Sequence, residues 1–280
     1  MTTIRIRVPA TTANLGPGYD CLGVALRLYN VVTVRRGRSG STHPMADEAG
    51  EALFRAAGIR PFRFTWKIEG AVPVSRGLGS SVTLRLGILH GLNRLSGAGL
   101  TRDRLFHLCT ELEGHPDNAA PAEFGGFNVA CPSGGRIRFP VDSSLRFVLL
   151  IPDHEVRTAD ARRVLPARIA HAAAVRSLGH ACRITAAFAS ANYRALRGAF
   201  GDELHQPFRT PLLPGLPRVI EAGTAAGALG GFLSGSGSTL ACVTLRGAER
   251  VAAAMREAWG EGGAHTVVTA ADNAGTRILG

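Results

Sequence analysis

The chain has 280 residues, 45% of them apolar and 6% aromatic, with a formal net charge of +11. That length allows one large domain or two lobes of ordinary size, and no apolar stretch reaches the ~18 residues that span a membrane. Of the 32 basic residues only Lys67 is lysine, and they are dispersed without a long run, which with the alanine and glycine excess reads as a GC-rich coding bias rather than a nucleic-acid partner; a basic surface that attracts small anions is compatible with either.

Residues 3–8 alternate apolar Ile4, Ile6 and Val8 with Arg5 and Arg7, which predicts a strand. A glycine loop follows, Pro9-Ala-Thr-Thr-Ala-Asn-Leu-Gly-Pro-Gly-Tyr-Asp20, and residues 24–34 read as a further strand. Residues 35–47 are polar and rich in Gly and Ser, the least ordered-looking stretch, before a short helix over 49–57 and a strand over 62–68. The second glycine loop, Pro73-Val-Ser-Arg-Gly-Leu-Gly-Ser-Ser81, feeds an apolar helix over 82–95. A helix over 102–113, a turn over 114–121, and strands over 125–130 and 136–141 complete the first half.

A buried strand over 147–151 opens the second half, with helices over 159–165 and 218–226. The alanine-rich residues 168–198 predict one long helix or two. Residues 230–243 read as strand, glycine loop and strand around Gly230-Gly-Phe-Leu-Ser-Gly-Ser-Gly-Ser-Thr239, followed by a helix over 249–259 and a strand over 265–269. Strands and helices mix without regular βαβ alternation, which favours an α+β fold. Cys21, Cys109, Cys131, Cys182 and Cys242 are scattered and odd in number, without a C-x-x-C, and are expected to be buried reduced thiols. The opening residues lack the charged start and apolar core of a signal peptide, so a cytoplasmic location is expected.

The middle glycine loop carries the most chemistry. Gly77 and Gly79 let the backbone approach an anion, the free N–H groups of the following helix point at it, and Ser80 and Ser81 add hydroxyls for phosphate or Mg²⁺. Neither G-x-x-x-x-G-K-[ST] nor the protein-kinase set is present, so this is a phosphate site of another type. Asp117 is the general-base candidate by residue type alone. Arg85, four residues beyond Ser81 on the same helix face, must be paired if buried; it is either a structural ion pair or an extra cation beneath the phosphates.

Taken in order, the three glycine motifs resemble the GHMP kinase superfamily, and within it the homoserine kinases. Glu113-Gly-His-Pro-Asp-Asn-Ala-Ala-Pro121 with Gly125-Gly126-Phe127, Ala161-Arg162 before Leu165-Pro166, and Gln206-Pro-Phe-Arg209 before Leu213-Pro214-Gly215 are similar to segments of that family. The sequence departs from the family at Ser238, where a proline is usual, and at Thr83 and Arg85 in a helix that is usually small and apolar. The resemblance implies a two-lobed α+β fold, with an N-terminal ribosomal-S5-domain-2-like lobe over 1–145 and a C-terminal α/β sandwich lobe over 146–280. It further implies an ATP- and Mg²⁺-dependent kinase for a small amino acid, L-homoserine first, in threonine biosynthesis. No nucleic-acid or membrane partner is expected, and a homodimer is compatible. Another small hydroxyl metabolite, or a non-catalytic relative that binds anions or nucleic acid, stands as the alternative.

The same resemblance distributes the roles. Arg76, Gly77, Leu78, Gly79, Ser80 and Ser81 would wrap the phosphates, and Gly235, Ser236 and Gly237 would close over them. Ser81 and Glu113 would hold the metal, with Glu111 the competing carboxylate. Asn14, Asp20, His115 and Asn118 would face the substrate, Asp20 on its ammonium and Asn118 beside the attacking hydroxyl. Arg162 and Arg209 would grip its carboxylate. Asn118, Ser81 and Glu113 are thus the expected catalytic set, and the alignment of Asn118 with the family's base argues against Asp117 in that role.

Overall fold

Residues 2–37, 43–131 and 133–279 are described in the computed structural model, so part of the polar 35–47 stretch lies outside the described residues. The alternation at the start forms β1 (Thr3–Ala13), which pairs antiparallel with β2 (Leu22–Arg36), Ile6 and Val8 pointing into the core. Their register shifts between Pro9 and Ala10, where proline has no N–H to give to the ladder. Next come α1 (Pro44–Ala57), β3 (Phe64–Gly70), α2 (Ser80–Ser96) and α3 (Arg102–Glu113). Helix α1 begins earlier than its apolar pattern because Pro44 occupies the first turn, where a missing N–H costs nothing. The predicted 114–121 turn holds the start of a short helix, α4 (Ala119–Phe124), and β4 (Phe127–Ala130) and β5 (Arg136–Phe139) follow.

The second half runs β6 (Arg146–Pro152), α5 (Thr158–Arg163) and α6 (His171–Ala189). The alanine-rich stretch is therefore one helix, ended at Ser190 and Ala191, the latter in the left-handed region, with a 3₁₀ turn at Tyr193–Leu196. Then come α7 (Gln206–Arg209), α8 (Leu216–Ala225), β7 (Gly230–Leu233), β8 (Leu240–Thr244), α9 (Ala248–Trp259), β9 (Ala264–Ala270) and β10 (Arg277–Leu279).

The strands form two antiparallel sheets. The first has the order β10-β1-β2-β4-β5, and β2 is long enough to pair its outer half with β3 and its inner end with β4. The second has the order β7-β8-β6-β9. Helices α1, α2 and α3 cover one face of the first sheet, and α2 is buried continuously from Val82 to Leu92. Helices α8 and α9 cover the outer face of the second sheet. A third core joins the sheets: Leu26 and Phe127 of the first meet Phe147, Leu149 and Phe232 of the second, and Phe188 of α6 stacks on Phe127 at 4.2 Å. The short strand β10 returns the chain to the edge of β1, so both sheets draw on the last residues. Among the described residues no helix is long and apolar enough to cross a membrane. The five cysteines are free, as expected, but Cys131 and Cys182 are exposed rather than buried, because they lie outside the apolar faces that bury Cys109 and Cys242.

Candidate active site

Helix α2 starts at Ser80 from Gly79, whose φ is +70°, and no side chain caps its first N–H groups. A Cβ at Gly79 would lie 2.2 Å from Thr11 Oγ1, and one at Gly77, also at φ +70°, would lie 2.1 Å from the Ser234 carbonyl oxygen. Only glycine fits either place. The other two motifs hold this loop from behind. Thr11 N donates to the Leu78 carbonyl at 3.1 Å, Thr239 N donates to the Arg76 carbonyl at 3.1 Å, and Ser234 Oγ donates to the Gly77 carbonyl at 2.7 Å. Thr83, a departure from the family pattern, secures the first turn: its hydroxyl donates to the Ser80 carbonyl and accepts from Asn30 Nδ2. The outcome is an uncapped helix N-terminus with no acidic residue in its first turn, suited to an anion.

Helix α3 delivers its last residue to this cradle. Glu113 Oε2 accepts from Ser81 Oγ at 2.9 Å, and Oε1 accepts from Arg85 Nη1 at 2.6 Å. The Glu113 side chain is 9% exposed, whereas Glu111 is 64% exposed and pairs with Arg104 on the surface. Glu113 is therefore the carboxylate that faces the cradle. A hydroxyl and a carboxylate side by side at a phosphate site are an oxygen donor set that fits Mg²⁺.

The turn after α3 supplies the next group. Asn118 Oδ1 accepts from Thr11 Oγ1 at 2.6 Å, and Asp117 Oδ1 accepts from His115 Nδ1 at 2.5 Å and from Asn118 N at 2.9 Å. Burial pulls the His115 imidazole down, but the hydrogen bond and charge of Asp117 outweigh it, so its pKa lies above the ordinary value. Asp20, His115 and Asp117 bring one ligand atom each within 4.8 Å of one another. A cation already stands at one end of this group: Arg162 Nη2 and Nη1 pair with the two oxygens of Asp20 at 3.0 and 3.1 Å, and Nη1 also donates to Tyr19 Oη at 2.8 Å.

Arg209 is 2% exposed. Its Nε donates to the Ala161 carbonyl, and its Nη1 to the Gly235 carbonyl and to His205 Nδ1; among the described residues Nη2 has no such partner. The Tyr19 ring lies 5.4 Å from the Arg209 guanidinium carbon and 5.7 Å from that of Arg162. Burial, then the charge of Asp20, raise the Tyr19 phenol, so it stays protonated at neutral pH. Asn14 ties the two loops together, Nδ2 donating to the Gly235 carbonyl and Oδ1 accepting from Asp20 N.

His205 is buried beneath Arg209 and held as a neutral ring, its Nε2–H donating to the Gly16 carbonyl at 2.8 Å and its Nδ1 accepting from Arg209. Burial lowers its pKa to about 4. The unfolded chain binds this proton near pH ~6.5 and the folded protein only near the lower value, so stability is complete above ~6.5 and falls as the pH drops toward the folded pKa. Urea titrations between pH 7 and 4 check this. His205→Gln is expected to flatten the slope in that window, and an unchanged slope would assign it to other groups.

A cavity of about 730 Å³ runs through the site. Asn14, Asp20, Gly77, Gly79, Ser80, Ser81, Glu113, His115, Asn118, Arg162, Arg209, Gly235 and Ser236 all line it, as does Arg85. Three of the expected nucleotide residues sit differently. The Arg76 guanidinium turns away to the Pro152 and Asp153 carbonyls and to Glu155, the Leu78 side chain is in the core, and Gly237 lies behind the loop against Leu213 and Leu233. Sequence reasoning missed Tyr19 and His205, although Tyr19 sits inside the first motif and His205 one turn before Arg209. It also missed the apolar end of the cavity, lined by Met45, Trp66, Ile68 and Leu84. Ser238 is buried, and its hydroxyl donates to the His154 carbonyl, anchoring the third loop to the segment before α5.

This fold and this cradle define a small-molecule kinase. The GHMP kinases N terminal domain model matches residues 44–126 and the GHMP kinases C terminal model residues 176–261; the chain belongs to the GHMP kinase family and is an ATP-dependent kinase acting on a hydroxyl group. Homoserine kinases are among its relatives. That of Thermus thermophilus is 40% identical over 258 residues, covering 88% of each chain, and that of Microchaete diplosiphon is 38% identical over 279 residues, covering 92% of this chain and 91% of its own. The crystal structure of homoserine kinase from Cytophaga hutchinsonii superposes with a TM-score of 0.91 at 25% identity, covering 100% of this chain and 98% of that one. The mevalonate kinase of Methanococcus jannaschii shares the fold at a TM-score of 0.76 and 14% identity, covering 97% of this chain and 99% of its own.

Proposed function

We propose that this protein transfers the γ-phosphoryl group of ATP to the side-chain hydroxyl of L-homoserine, giving O-phospho-L-homoserine and ADP on the route to threonine. The observation that carries the reading is the meeting, in one cavity, of an uncapped helix N-terminus with Asp20, Arg162 and Arg209. An anion cradle beside one carboxylate and two arginines complements a phosphate donor and a zwitterionic acceptor. Homoserine is the substrate of the named relatives, which supports the choice.

In this reading ATP lies in the cleft between a 1–145 lobe and a 146–280 lobe. Its base occupies the apolar end near Met45 and Ile68, and its phosphates lie on the N–H groups after Gly79. Ser81 and Glu113 would hold Mg²⁺, which when bound neutralises charge on the phosphate oxygens. The Asp20–Arg162 fork opens to the substrate: Asp20 takes the ammonium, and Arg162 and Arg209 take the carboxylate. Thr11 fixes the side-chain oxygen of Asn118 and Asp117 Oδ1 accepts one hydrogen of its amide, which leaves the second amide hydrogen to orient the acceptor hydroxyl. Phosphoryl transfer through a loose transition state depends on positioning and charge neutralisation more than on removing the hydroxyl proton first.

An ADP-release assay with L-homoserine, threonine, serine and alcohols that are not amino acids tests the assignment, and homoserine is expected to give the highest kcat/KM. In the same assay Asp117→Asn is expected to retain substantial turnover, because Asn can still accept from the Asn118 amide. Asn118→Ala is expected to lose it. Loss of turnover in Asp117→Asn with nucleotide binding preserved would restore Asp117 as the base.

A further inference from the structure

Between Val82 and Leu92 helix α2 is buried, and Arg85 is the arginine within that buried run. This arginine is 8% exposed, one turn beyond Ser81, and it lines the same cavity as Ser81 and Glu113. Its Nη1 donates to Glu113 Oε1 at 2.6 Å, and its Nη2 donates to Glu48 Oε2 of α1 at 2.8 Å. Its Nε is buried without a partner among the described residues. A second buried ionic group, His90 and Arg102 on Glu123, lies outside the cavity, so Arg85 is not simply one of several interchangeable ion pairs.

The charges give its role. Without Arg85 the nearly buried carboxylate of Glu113 would stand unneutralised in a cradle built for a polyanion, and the half-exposed Glu48, outside the cavity lining, would add its charge from the α1 side. Like charges in a partly desolvated site oppose each other by far more than in water. With Arg85 in place Glu113 is neutralised and pinned: one oxygen is committed to the guanidinium and the other faces Ser81. We propose that Arg85 is a built-in counter-charge and positioning residue of the phosphate site. It lets the nucleotide phosphates bind without the divalent cation, and it competes with that cation for Glu113. The proposal rests on the kinase reading above and goes beyond it by assigning the order of binding and the residue responsible.

Calorimetry of ADP binding, in EDTA and in excess Mg²⁺, together with Mn²⁺ binding to the nucleotide-free protein followed by electron paramagnetic resonance, tests this. The wild type is expected to bind ADP in EDTA within about tenfold of its affinity in Mg²⁺. Arg85→Met is expected to weaken metal-free ADP binding by about tenfold or more, to change the Mg²⁺-loaded value much less, and to tighten Mn²⁺ binding. Glu48→Gln removes a half-exposed carboxylate and is expected to act in the opposite direction, tightening metal-free ADP binding by about two- to threefold. If Arg85 were only structural, Arg85→Met would lower the melting temperature and leave the ratio of the two ADP affinities unchanged, which would overturn the proposal. ADP binding by the wild type that vanishes in EDTA would overturn it as well. If Arg85→Met does not fold, Glu48→Gln decides: an unchanged metal-free affinity overturns the proposal. A wild type that binds no nucleotide with or without Mg²⁺ would instead overturn the kinase reading, and the proposal with it.

Discussion

Glu113→Gln is expected to lower kcat by about 10²–10³-fold while the protein stays folded. The geometry explains both halves of that result. Glutamine has the same shape: its oxygen keeps accepting from Arg85 Nη1 while its NH2 donates to Ser81 Oγ, and Arg85 keeps Glu48 as a partner. What disappears is the negative charge beside the cradle, the one feature of the Ser81–Glu113 pair that a divalent cation requires. Ser81→Ala removes the hydroxyl and is expected to give a loss of the same kind but smaller, because the carboxylate remains. Steady-state ADP release, with thermal melts as the control for folding, distinguishes these outcomes. Wild-type turnover in both variants would end the assignment of the pair as the metal site.

The acceptor end carries an equally large expectation. L-homoserine should exceed the matching amino alcohol without a carboxylate by about 10³-fold or more in kcat/KM. Arg209 is the reason. It is almost fully buried, its Nε and Nη1 are committed to backbone carbonyls and His205, and Nη2 remains for a ligand oxygen. A substrate lacking the carboxylate closes the cavity over that nitrogen without giving it a partner. Arg162 differs, since its side chain is 39% exposed and already forked onto Asp20. Arg209→Ala is therefore expected to narrow the gap between the two compounds more than Arg162→Ala, and to do so by weakening homoserine rather than by improving the alcohol. Parallel kcat and KM measurements on both compounds read this directly. Equal use of both by the wild type would remove the amino-acid assignment and leave the family assignment in place.

Much of this molecule is written locally. The helix predicted over 102–113 is α3 to the residue, because its apolar spacing, its Thr101 N-cap and Gly114 at its end all lie within a few residues of one another. The start of α2 was legible to within two residues for the same reason: Gly79, beside it, can take the left-handed φ the loop shows. The ordered motifs likewise allowed the family, the glycine loop and the polar end of the cavity to be named before any packing was known, but not its apolar end. Strand β10 was not legible, since three residues carry no periodicity and its only reason to be extended is the open edge of β1.

The sequence by itself therefore determined the α+β class and the glycine loop that starts α2, and it named the acid that ends α3 and the amide that follows it, all of which depend on spacings within one turn or one loop. Only the tertiary structure decided which charges meet. Arg162 reaches Asp20 across 142 positions, Arg85 reaches Glu48 and Glu113 on two other helices, and Arg76 turns from the cavity to a loop 76 positions away. The 31 remaining basic residues are all arginines and are chemically alike in sequence; what separates them is burial and the carboxylate that packing sets within reach.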